Sequence, residues 1–140
     1  MRSTTQTVIL RADAAWLILV SATAMLVDVA GAFLERGPES AFLGGHTELG
    51  IAFLEAHGLA LILGITLWRV PVSRGWHVTA AALHLLLGTS NLLFWNAFFA
   101  SGMATVGYVT TSFHLMFVLV QIFAAFVLGF EEERVSSFEI

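Results

Sequence analysis

Cysteine is absent from the 140 residues, lysine is absent too, and only two prolines occur. Without cysteine there are no disulfides, no thiolate metal sites and no cysteine nucleophile. Charged residues make up 11% of the chain, against about 25% in a soluble domain. That is too little charge to coat a water-facing surface. The formal net charge of −4 comes mostly from Glu131, Glu132, Glu133 and Glu139. A nucleic-acid partner is therefore not expected.

What is present is apolar bulk, 58% of the residues. It falls into four runs, Ala14–Leu34, Leu49–Trp68, His77–Phe99 and Ala104–Phe130. Each is long enough, at ~1.5 Å per residue, to cross a hydrocarbon layer of ~30 Å. Helices are the expected form, because open strands leave backbone groups unsatisfied in lipid and the runs lack the alternation of a barrel. The first run contains the signal-like Ala30-Gly31-Ala32. Its length and Asp28 favour a membrane span over a cleaved leader.

Short links between consecutive helices make antiparallel neighbours. The expectation is one all-α domain over residues 1–140, a four-helix transmembrane bundle with up-down-up-down topology. Arg2, Arg11, Arg69, Arg74 and Arg134 flank one side of the runs and only Arg36 the other. The positive-inside rule then puts both termini, and an acidic tail over 131–140, in the cytoplasm. The expected setting is the cytoplasmic membrane of a prokaryote. The expected partners are the lipid bilayer and either a homo-oligomer or a larger membrane complex. Ala52, Ala56, Ala60 and Gly64 recur every four residues, a spacing that permits close helix packing in lipid.

Ionisable residues inside membrane spans are functional-site candidates by default. Asp28, Glu55, His57, His84 and His114 all fall inside the runs. Counting inward from the outer boundary places Asp28 and Glu55 ~10 Å deep, Asn91 ~12 Å, His57 and His114 ~14–15 Å, and His84 ~22 Å. His57 is expected to point inward, with Glu55 at the seam with the first helix near Asp28. His77 is expected at the wet cytoplasmic interface, with Gln121 binding helices together.

Three chemistries use such residues. Two imidazoles at matching depth can clamp a b-type haem, which makes His57 and His114 the expected axial ligands. Asn91 and Thr110 would support them, His84 with His114 would form a second candidate pair, and the function would be electron transfer beside a larger redox partner. The same His57 and His114, with carboxylates, suit a transition metal. Alternatively, Asp28, Glu55 and the histidines relay protons for a carrier, or line a pocket with Trp95 for an apolar ligand such as a quinone or isoprenoid. A purely structural subunit, its polar groups holding helices together, is the plainest alternative. The leading expectation is the bis-histidine haem.

Overall fold

A computed structural model describes residues 4–136, with side chains described as far as residue 126. The described residues form six α-helices and one short 3-10 turn, Thr47–Leu49. The helices are α1 (Thr4–Leu34), α2 (Pro38–Leu43), α3 (Gly50–Arg69), α4 (Arg74–Leu93), α5 (Trp95–Ala100) and α6 (Ala104–Ser136).

Local chemistry sets the boundaries. Pro38 opens α2, where its missing N–H costs nothing, and Gly44 closes it in the left-handed conformation. Pro71 follows α3, and Ser73 caps α4 by accepting the Trp76 N–H. Gly102, with φ of 74°, turns the chain into α6.

Three helical segments are long and apolar enough to cross a membrane, Thr4–Leu34, Thr47–Arg69 and Ala104–Phe126. The chain is thus an integral membrane protein, but the expected four-helix transmembrane bundle is corrected. The third run does not qualify as a span. His77, His84 and Asn91 lower the hydropathy of α4, and the helix breaks at Phe94. The break lets α5 turn Trp95 and Phe99 onto Tyr108 of α6, with ring centroids 4.9 and 6.4 Å apart. The first span also starts earlier than expected, at Thr4 rather than Ala14. That shift brings Gln6, Arg11 and Asp13 into the helix. At the other end α6 carries Glu131, Glu132 and Glu133 in its last turns, while Glu139 lies outside the described residues.

α1 pairs with α3, α4 pairs with α6, and α1 also touches α6 and α2. The apolar core joins Leu10, Ala14 and Leu17 of α1 to Ala60 and Leu67 of α3, and to Val72 and Ala80 beside them. Lipid removes the hydrophobic incentive for helix association, so close approach must supply it. Gly64 provides that approach: a Cβ there would come within 2.9 Å of Leu17 Cβ and 3.0 Å of the Ile18 backbone nitrogen. Ala60 and Gly64 are buried against α1, whereas Ala52 and Ala56 are exposed. Only half of the small-residue ridge is an internal seam.

The guanidinium of Arg11 closes the pair at its other end. It donates to the Leu67 carbonyl and, at 2.9 Å, to the Val70 carbonyl. These are the orphan acceptors at the end of α3, where a cation also meets the negative pole of the helix dipole.

Candidate functional site

The helix pairing presses one polar face of α1 against α4 and α6. Gln6 and Asp13 stand seven residues apart on α1, as do His77 and His84 on α4, and His114 and Gln121 on α6. Two helical turns separate each pair, so both members share a face. Where the three faces meet, a chain of hydrogen bonds forms around Asp13.

Asp13 and His84 are both wholly buried, and His84 Nε2 lies 2.7 Å from Asp13 Oδ1. The other nitrogen, His84 Nδ1, lies 2.9 Å from His114 Nδ1. On the far side Gln121 donates its amide N–H to Asp13 Oδ2, and its carbonyl accepts from His77 Nδ1. Phe117 stacks on the His84 ring, with centroids 4.9 Å apart and planes 19° apart, which holds the ring's orientation.

One protonation pattern satisfies every bond. An ionised Asp13 accepts from both His84 Nε2–H and the Gln121 amide. Neutral His84 is then left with a lone pair on Nδ1, which accepts the Nδ1–H of His114. His77 donates through Nδ1 to the Gln121 oxygen. Two donors thus reach the one carboxylate directly, as a buried charge requires, and His114 and His77 extend the chain behind them.

The second His/carboxylate pair joins two membrane-spanning helices. His57 Nδ1 of α3 lies 2.7 Å from Asp28 Oδ2 of α1. Asp28 is 2% exposed and His57 35%. Against Gly31, one turn further along α1 from Asp28, Glu39 of α2 is buried, with its Oε1 lacking a hydrogen-bond partner. Glu39 binds its proton more tightly than an ordinary carboxyl, because burial disfavours its charge and Asp28 repels it, with His57 acting in the opposite sense.

The expected site residues therefore divide. His84 and His114 meet; His57 and His114 do not, since each has a different partner. Asn91 donates to the Thr110 hydroxyl at 3.1 Å, which ties α4 to α6 two turns from His84 and one from His114. Asp28 takes His57 as partner. The seam position beside Asp28 expected for Glu55 is thus occupied by the imidazole, and Glu55 is exposed. Trp95 packs among Phe98, Phe99 and Tyr108, and Phe113 stacks on Trp16 at 3.9 Å. His77, expected at the wet interface, is wholly buried. Among the described residues no three His, Asp or Glu side chains converge to hold a metal ion.

Asp13 is the residue that sequence reasoning missed. It sits just before the first apolar run as hydropathy delimits it, outside the stretch in which ionisable residues stand out. The signal that finds it is the shared seven-residue spacing of polar residues on three segments. Compared with protein-family models, with curated proteins and with solved structures, the chain matches none.

Proposed function

We propose that this protein carries protons through the membrane, and that Asp13, His84 and His114 form its relay. The observation that carries this reading is the use of both nitrogens of buried His84, one toward a carboxylate and one toward a second imidazole. An imidazole so placed can accept a proton on one nitrogen while releasing another from the opposite one. Chains of this composition are the usual means of moving protons inside membranes.

The step balances in protons. A proton arriving at His114 Nε2 lets the Nδ1 proton of His114 pass to His84 Nδ1. The Nε2 proton of His84 passes to Asp13, which becomes neutral. Both rings end neutral with their protons on the opposite nitrogens. Release of the proton from Asp13 on the far side and return of both rings to their starting tautomers reset the chain.

A bis-histidine haem finds less support in this geometry. Metal–imidazole bonds are ~2 Å long on each side of a metal, and axial ligands face each other across a porphyrin. The two histidines that do meet stand 2.9 Å apart, a hydrogen-bonding separation. The structural reading predicts only the fixing of helices, and one polar pair would satisfy it. Two separate His/carboxylate pairs exceed what it requires, because each ionised group costs ~2.5–3.5 kcal/mol to insert.

The test uses protein reconstituted in liposomes with a trapped pH-sensitive dye and an imposed potassium diffusion potential. Wild-type protein is expected to acidify the lumen. His84→Ala and Asp13→Asn should each lower the rate by ~100-fold or more, the order expected for losing a positioned acid–base group. A wild-type rate no greater than that of empty liposomes would refute the proposal.

A further inference from the structure

A second ionisable cluster stands apart from the relay, where α2 folds back over the end of α1. Asp13 and Asp28 are separated by fifteen residues of α1, roughly 22 Å of helix. We propose that Glu39, Asp28 and His57 form a second proton-binding site, in which Glu39 stores a proton and the half-exposed His57 exchanges it with water. This rests on the proton-carrying reading and adds to it a loading point.

Gly31 is what allows the site to form. A Cβ at that position would lie 2.5 Å from Glu39 Cβ and 2.8 Å from Glu39 Cγ, so only glycine lets the Glu39 stem lie flat on α1. Seated there, Glu39 is 5% exposed and one of its carboxylate oxygens has no hydrogen-bond partner. A buried acceptor without a donor is costly when ionised and much less so when protonated. The remaining charged groups at this end, Glu35, Arg36, Glu55 and the His46–Glu48 pair, are exposed, where water screens them. Among the described residues no cation is therefore buried against Glu39 except His57, on protonation.

Charge bookkeeping fixes how the three groups behave. With Glu39 protonated, neutral His57 donates to the Asp28 carboxylate, and the site carries one negative charge. If Glu39 releases its proton and His57 gains one at Nε2, the imidazolium still donates to Asp28 and the total is unchanged. Losing the proton altogether leaves two buried carboxylates beside a neutral ring. Two carboxylates at one site do not both ionise readily. The site thus holds one exchangeable proton. A metal ion suits the geometry less well, since no three such side chains converge on one point among the described residues.

The test is an infrared titration of the full chain in detergent or lipid. A carboxylic-acid C=O band should persist in the folded protein to a higher pH than in the unfolded chain, and Glu39→Gln should abolish it. Asp28→Asn should shift its loss to lower pH by removing the repelling charge, and His57→Phe should shift it to higher pH. If these variants fail to fold, the carboxyl resonances of 13C-glutamate-labelled wild-type protein report the same titration without substitution. A band that survives Glu39→Gln, or a Glu39 that ionises as it does in the unfolded chain, would overturn the site. His84→Ala should leave the Glu39 titration intact. A Glu39 that keeps its proton to higher pH than in the unfolded chain, in protein that carries no protons, would therefore refute the proposed function and leave proton binding at this site standing.

Discussion

Replacing Asp13 with Leu removes the acceptor on which the whole buried chain converges. His84 Nε2–H and the Gln121 amide then face an apolar side chain in place of the carboxylate. Each buried donor left unsatisfied costs ~1–3 kcal/mol, so two should cost about 2–6 kcal/mol, a span that includes the ~3–5 kcal/mol for breaking a buried pair by removing one partner. Ordinary helix-to-helix hydrogen bonds in membranes average only ~0.6 kcal/mol and reach ~1.7 at most. The two accounts thus predict distinguishable numbers. Reversible unfolding in mixed detergent micelles measures the difference, and a double-mutant cycle sharpens it. Asp13→Leu with His84→Leu removes both partners, and apolar replacement of a buried pair is close to neutral. The double variant should therefore be more stable than the sum of the single losses predicts, by more than ~1 kcal/mol, a margin well beyond the usual error of additivity. Strict additivity, or a single Asp13→Leu loss below ~1 kcal/mol, would show that the two residues are not a pair.

Other consequences concern the seams and the acid range. Gly64→Val should force α1 and α3 apart, because the new Cβ meets the Ile18 backbone nitrogen at 3.0 Å as well as Leu17. A cost of about 1–3 kcal/mol is expected from overpacking, and unfolding in detergent checks it; an unchanged midpoint would mean the approach is looser than it looks. Glu39 also makes stability depend on pH. Its folded-state affinity for protons is raised above the ordinary value of 4.5, so the folded chain binds more protons than the unfolded one just above that pH. Stability should fall as pH rises from 4.5 through the folded-state value. Glu39→Gln should flatten that slope, and a slope that survives the substitution would assign it elsewhere.

The membrane location and the helical class were legible in the sequence, because run length and low charge are properties of composition. The number of spans was not. The third run averages Leu, Phe and Ala against His77, His84 and Asn91, and hydropathy cannot tell that the polar members are spent on internal bonds. Its break at Phe94 depends on where Trp95 and Phe99 find Tyr108, a tertiary fact. At the site, Asp28 and His57 were both visible, but their pairing turned on which side of α3 faces α1. His57 and Glu55 lie nearly opposite each other on that helix, and the close approach at Gly64 decides between them. Matching His57 to His114 by depth failed because depth ignores lateral position. The residues that do meet His114 and Asp13 share a register of seven, which periodicity records and hydropathy does not.

The relay stands or falls on the bond between the two imidazoles. The most direct measurement is the 15N spectrum of histidine-labelled protein in lipid bilayers. The predicted result is a 15N–15N coupling across the hydrogen bond between His84 Nδ1 and His114 Nδ1, with His84 protonated at Nε2 toward Asp13. Asp13→Asn should change the His84 tautomer balance. Two uncoupled rings, with His84 indifferent to Asp13, would contradict the account.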